Sequence, residues 1–428
     1  MISKAKHSRE GWRAAGLAMC RAVALSAIFV VGGLSLSAGR APAGQERPPV
    51  QNPKPVIKLG MSTALTGPAS FLGTNMRSGV LAAIDQCDRE GGIQGLPIEL
   101  ICLDDGYEPT RTAPNMRRLI NQDQVLAVIG NVGTPTAVAA IPIANSSKTT
   151  FFGAFTGAGI LRKSPPDRYV INYRASYAEE VSAMIDALLG IAGYKPHEIA
   201  FFTQRDAYGD AGYIGGIAAL RKHGFVDENK IIHSRYERNT LAVENGLADI
   251  ILADPLPRAV IMVGTYAPCA EFIRMAKANG FSPLFLNVSF VGAEPLAADL
   301  GAAGNGVIVT QVVPHYTSDL PIVSDYRKAL AAYDSSLTPS FVSLEGYISA
   351  RILFKGLKTI QGDLSREAVA KALENLGTFH LGFDAPLHLS PDDHQASHRI
   401  WPMVLKNGRA VPFRWEELAN RRGRRSND

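Results

Sequence analysis

The sequence predicts an α/β protein built from two parallel-sheet lobes, and three observations carry that reading. Short β-rich runs alternate with helical stretches along most of the 428 residues, the chaining that βαβ units produce. The alternation falls into two series of roughly 120 to 130 residues each, the size of ordinary domains. The loops after the predicted strands collect glycine, hydroxyl and aromatic residues, and strand ends are where open α/β sheets hold ligands. With 46% hydrophobic and 19% charged residues, the chain is long enough and apolar enough to bury two cores.

The elements follow in order. Lys4, Lys6, Arg9, Arg13 and Arg21 precede an apolar run over 22–36, and small residues fill 37–39 and 41–43. That layout predicts a secretory signal over 1–43, with Met19 as an alternative start. An uncleaved anchor competes, since 22–39 approaches the ~20 apolar residues of a spanning helix; small residues at two cleavage positions favour removal. Six basic residues against Glu10 place the whole formal charge of +5 in this segment, so the remainder is near neutral. The arginines at 421, 422, 424 and 425 read as a solvated tail over 419–428, and nucleic-acid binding gains no support.

The first series predicts strands at 56–61, 98–104, 125–130, 149–152 and 169–173. The helices between them start at Thr110 and at Thr134-Pro135, where threonine caps and proline suits the first helical position. The second series predicts helices at 178–192, 212–223, 243–253 and 269–279, interleaved with strands at 199–203, 231–236, 259–263 and 284–288. From Gly306 come one more strand and helices near 321–333, 342–359 and 366–376, expected to return to the first lobe.

The post-strand segments read Gly130-Asn-Val-Gly-Thr-Pro-Thr136, Gly153-Ala-Phe-Thr-Gly-Ala-Gly159, Arg205-Asp-Ala-Tyr-Gly209, Gly264-Thr-Tyr266 and Ser289-Phe-Val-Gly292. A helix opening at Thr134-Pro135 offers free N–H groups and a positive dipole end, which favours an anion. The hydroxyls of Thr134, Thr136 and Thr156 are placed to share it, and a carboxylate is the natural guest. Tyr177, with Ser176, is a hinge or pocket candidate. Asp104-Asp105 point apart on a strand end, which predicts capping or hinge hydrogen bonds instead of acid–base work. His380, His388, His394 and His398 lack zinc spacing, and nucleophile-elbow, zinc-protease, phosphate-loop and dinucleotide patterns are missing; neither an enzyme nor a metal or other cofactor is expected. Cys87, Cys102 and Cys269 follow the signal, an odd number without a CxxC pair. A Cys87–Cys102 bridge and free thiols both fit an exported protein.

Several motifs in order, Leu65-Thr-Gly-Pro68, Gly91-Gly-Ile-Gln-Gly95, Asp104-Asp105, Gly130 to Thr136, Ala154-Phe-Thr-Gly157, Tyr208-Gly209 and Ser343-Leu-Glu-Gly-Tyr347, resemble the periplasmic leucine/isoleucine/valine-binding protein family, over about residues 55 to 415. The resemblance implies a type I periplasmic binding protein fold: two Rossmann-like lobes joined by a three-crossover hinge. Lobe one is then 55–175 plus 306–393, and lobe two is 176–305 plus 394–418. It implies a carboxylate held by Gly133, Thr134, Ala154 and Thr156, beside Phe155, with Tyr208 and Tyr266 closing over the ligand from lobe two. Where amino-acid binders of the family place an acid for the ligand ammonium, this chain has Ser289. Either Asp206 takes over that duty or the ligand lacks the amine. Leu72, beside Phe71, stands where the family carries an aromatic, which implies an altered side-chain pocket. The implied role is the periplasmic component of an ABC importer, acting as a monomer with an inner-membrane permease. A ligand sensor of the same fold, coupled to a regulator, is the alternative.

Overall fold

The structure is a computed structural model that describes residues 55–421 except 226; the segment expected to be an export signal and the arginines beyond 421 lie outside the described residues. Strands β1 (Ile57–Thr63), β2 (Ile98–Asp104), β3 (Ala127–Ile129), β4 (Thr150–Phe152) and β5 (Val170–Ile171) form a parallel sheet in the order β2-β1-β3-β4-β5. Helices α1 (Ser70–Arg89), α2 (Pro109–Asn121) and α3 (Thr134–Ser146) connect them. Alternate strand residues enter different cores: Ala127 and Ile129 join one cluster and Val128 the other. A sheet covered on both faces demands such nearly continuous apolar strands.

The second sheet repeats the pattern. After α4 (Tyr177–Asp186) come β6 (Ile199–Gln204), α5 (Ala207–Lys222), β7 (Ile232–Tyr236), α6 (Glu244–Ile251), β8 (Ala259–Val263), α7 (Tyr266–Ala278), β9 (Leu284–Asn287), α8 (Ala293–Leu300) and β10 (Ile308–Gln311). Their strand order is β7-β6-β8-β9-β10, the same winding as the first sheet. The chain continues through α9 (Pro321–Tyr333), α10 (Phe341–Leu357) and α11 (Arg366–Glu374), a small hairpin of β11 (Gly377–Phe379) and β12 (Leu387–Leu389), and then β13 (Trp401–Lys406) and β14 (Arg409–Pro412). The last two extend the second sheet antiparallel beyond β10.

The sequence reading placed the chain in lobe one from residue 306, and the structure corrects this. β10 pairs with β9 and β13, so the return to the first sheet's helices comes after Gln311. There α10 lies against α1 so closely that a Cβ on Gly79 would sit 1.8 Å from the carbonyl oxygen of Ser343. Two crossover segments run side by side: the Asn172 N–H donates to the His394 carbonyl at 2.7 Å, and the Ala396 N–H to that of Asn172 at 3.0 Å.

Helix starts also differ from expectation. α2 begins at Pro109 with Glu108 as N-cap, which leaves Thr110 inside, and α3 is capped by Gly133, not Thr134. Proline at the first position fixes the earlier start of α2. Cys87, Cys102 and Cys269 are free thiols, and burial pushes the Cys102 thiol up to about 12.

Candidate functional site

The loops after β3 and β4 are bound together by their backbones: Phe155 N–H donates to the Asn131 carbonyl at 2.8 Å, and Gly133 N–H to the Phe155 carbonyl at 3.2 Å. This buries Ala154 and Phe155 and brings the Thr134 and Thr156 hydroxyls to 2.6 Å. Thr156 Oγ1 also accepts the Ala158 N–H at 3.3 Å. Both threonines are buried; Thr134 opens the first turn of α3, where a helix leaves N–H groups without intrahelical partners, and Thr156 meets it from the loop after β4. Thr136 departs from the expected role. Its hydroxyl donates to the carbonyls of Val132 and Gly133, so its proton is committed inside the helix.

From the second sheet, the Tyr208 hydroxyl donates to the Gly264 carbonyl at 3.2 Å and its ring lies 5.2 Å from that of Tyr177. Burial pushes the pKa of the Tyr177 hydroxyl up to about 12, against the opposing pull of Arg174 and of the neighbouring Thr156 hydroxyl. Tyr266 meets Phe71 edge-on at 6.3 Å. Leu72 is fully buried, with its Cδ2 3.0 Å from where a Cβ on Gly292 would stand. Leu72 and Phe71 therefore face Tyr266 and Gly292 across the gap between the two sheets.

Asp206 does not offer a free carboxylate. It accepts the Tyr208 N–H at 3.0 Å as the N-cap of α5, the Gln204 amide at 2.7 Å and Arg238 Nη1 at 3.0 Å. Ser289 is equally committed: its N–H and hydroxyl donate to Glu180 at 2.8 and 2.9 Å, and its oxygen accepts from Arg174. The Thr310 hydroxyl also donates to Glu180, at 2.5 Å. Arg174, 1% exposed, pairs with Glu180 at 3.1 Å and Glu345 at 3.5 Å.

Sequence reasoning missed this buried charge cluster. Glu180 in the first turn of a helix reads as a solvated, dipole-favoured acid, and only the fold brings Arg174, Ser289, Thr310 and Glu345 to it. It also missed Phe290, whose ring lies 4.7 Å from Tyr208, 5.3 Å from Phe155, 5.9 Å from Tyr107 and 6.5 Å from Tyr177. Phe290 lay within a quoted post-strand motif, but an apolar ring there reads as packing.

The sheets are also tied at the β2 and β7 edges. Glu108 accepts from Arg238 at 2.9 Å and from Asn239 at 2.6 Å, and Gln204 donates to the Tyr107 hydroxyl at 3.1 Å. These ties are partly exposed, so Glu108→Gln is expected to weaken the contact between the sheet edges by about 0.2–1 kcal/mol, a difference lost in high salt. Ligand titrations at low and high ionic strength check this, with a smaller salt dependence expected for the variant. Beside Thr134 a cavity of about 510 Å³ opens between α3 and α5, lined by Val138, Ile160, Ala178, Ala211 and Ile214.

The other candidates resolve into structure. Asp104 accepts from Thr66, Arg111, Leu65 N–H and Gly106 N–H. Burial alone raises its pKa, but these bonds hold it well below the usual carboxylate range. Asp105 accepts from Ser62, Thr112 and the Tyr107 N–H. His394 Nδ1 meets the Val170 carbonyl at 3.0 Å, and His398 meets Glu179 at 2.6 Å. Among the described residues no group of three His, Cys, Asp or Glu is placed to hold a metal.

A family model for periplasmic binding proteins matches residues 56–410. Leu/Ile/Val-binding protein homolog 7 of Brucella abortus (strain 2308) is 25% identical over 359 residues, covering 79% of this chain and 83% of its own. The leucine-, isoleucine-, valine-, threonine- and alanine-binding protein of Pseudomonas aeruginosa is 24% identical over 333 residues, covering 77% and 86%. Among solved structures, a possible leucine/isoleucine/valine-binding protein from Rhodopirellula baltica SH 1 superposes with a TM-score of 0.83 at 57% identity, covering 85% of this chain and 97% of that one.

Proposed function

This chain belongs to the periplasmic binding protein family and is a solute-binding protein, not an enzyme; from that premise we propose that it is the extracytoplasmic capture component of an ABC importer. Its ligand is a small carboxylate-bearing molecule, an amino acid or an amine-free organic acid, enclosed between two lobes. The exported monomer delivers it to a permease in the inner membrane. The names of the Brucella and Pseudomonas relatives support a carboxylate-bearing guest. In the lobe assignment that goes with this reading, the first sheet joins α9–α11 and the second takes β10, β13 and β14.

The observation that carries the proposal is the Thr134–Thr156 hydroxyl pair, buried at the first turn of α3 and within a shell of aromatic rings contributed by both sheets. Two hydroxyls at 2.6 Å share one proton between them, and the other is free to turn to an acceptor. A carboxylate satisfies it and benefits from the helix dipole. The cavity beside Thr134 gives an apolar remainder of the ligand somewhere to lie.

Thr156→Val keeps the shape and removes the hydroxyl. Affinity for the bound carboxylate is expected to fall by about 1.5–3 kcal/mol, the worth of a hydrogen bond to a charged group. Calorimetric titration of wild type and variant checks it; equal affinities remove Thr156 from the site.

A further inference from the structure

We propose that Arg174 selects the ligand's head group, taking the carboxylate of an acid that carries no α-ammonium. The inference rests on the carboxylate reading above and narrows it to simple aliphatic or aromatic acids.

Arg174 leaves the first crossover and reaches the place where the post-strand loops meet. Its guanidinium carbon lies 5.0 Å from the centre of the Phe155 ring and 5.6 Å from that of Tyr177. Nη2 is spent on Glu180 and Ser289. Nε and Nη1 make no hydrogen bond; the Glu345 oxygen paired with Nη1 is 3.5 Å away. Buried donors left unmatched are rare and costly, and here two belong to one guanidinium. What matches them is an acceptor with two oxygens and a negative charge.

The acids nearby cannot serve an ammonium. Asp206 and Glu108 pair with Arg238, Asp105 is filled by Ser62, Thr112 and a backbone N–H, and Glu180 holds Ser289, Thr310 and Arg174. Glu180 already balances Arg174, and Glu345, pushed up to about 7 by burial against the pull of Arg174, adds only part of a second negative charge near neutral pH. A second cation flanks the same spot: Arg162 donates to the carbonyls of Ala158 and Arg174 and reaches that of Thr156 at 3.4 Å. An ammonium brought here lies near two guanidinium groups whose neighbouring acids are already engaged, and it gives up its water without gaining a partner of its own.

The test uses matched pairs that differ only in the amine: leucine and 4-methylpentanoate, phenylalanine and 3-phenylpropanoate, glutamate and glutarate. Thermal shift of the full chain ranks them, and calorimetry measures the binders. The expected result is a pair whose amine-free member binds at least about tenfold tighter, with Arg174→Gln/Glu345→Gln losing about tenfold or more of that affinity, the scale of a charge-assisted hydrogen bond. This double variant removes one charge of each sign, and circular dichroism checks that it is folded. Arg174→Lys keeps the charge without the planar fork and is expected to lose part of the affinity. Amino acids binding as tightly as or more tightly than their amine-free partners overturn the inference alone, as does a folded double variant with unchanged affinity. No binding by any pair overturns the carboxylate reading, and the inference with it.

Discussion

Glu180→Leu is expected to lower the stability of the native state by about 3–5 kcal/mol, because it strands a buried cation. Glu180 is fully buried and holds the Ser289 N–H, the Ser289 hydroxyl, the Thr310 hydroxyl and Arg174 Nη2. Leucine fits the volume but accepts none of these bonds, and it leaves Arg174 facing Glu345 alone at 3.5 Å. Glu180→Gln keeps an acceptor for the Ser289 N–H and is expected to cost less. Pairing Glu180→Leu with Arg174→Met removes both charges and is expected to recover much of the loss, since breaking a buried ion pair costs more than replacing it. Urea denaturation of these variants measures the differences. A Glu180→Leu protein as stable as wild type means that Arg174 does not depend on this carboxylate.

Gly133→Ala carries the second large effect. Gly133 sits at φ 104°, ψ 153°, a region open essentially to glycine, so any side chain there is strained by on the order of 1–3 kcal/mol. Its Cβ would also stand 2.1 Å from Cε2 of Tyr107. Tyr107 must then move, breaking its hydrogen bond with Gln204 and disturbing Phe290 packed at 5.9 Å. Overpacking of this kind adds about 1–3 kcal/mol. The variant is therefore expected to lose stability and ligand affinity together, checked by denaturation and titration of one preparation. Retained stability with retained affinity contradicts the assignment of Gly133 to the floor of the site.

Much of the fold was legible because its signals are local. Apolar runs of strand length, alternating with helical stretches in both halves, become β1–β5 and β6–β10. β10 was misassigned because membership of a sheet depends on distant partners, here β9 and, some ninety residues later, β13. The start of α3 was read one residue late because Thr134-Pro135 looks like a cap. The glycine before it supplies the cap through a backbone conformation that sequence reports only as a glycine. Gly133, Thr134, Ala154, Phe155, Thr156, Tyr208 and Ser289, each read from a single post-strand segment, are brought close to one another between the sheets. Arg174 and Glu180 were not anticipated, because each looks solvated in its own segment; Glu345, inside the Ser343–Tyr347 motif, carried no role there, and all three acquire their partners only through long-range folding. Thr136 and Asp206 carried the right chemistry, but their neighbours use it.

A crystal structure of the full chain with whichever acid or amino acid stabilises it most tests the central claim, capture of a carboxylate between the sheets. Carboxylate oxygens are expected within hydrogen-bonding distance of the Thr134–Thr156 pair, with Phe155 on one side and Tyr208 on the other. A ligand seated elsewhere, such as the cavity of about 330 Å³ between α1 and α10 lined by Gln86, Arg351 and Lys355, would contradict it.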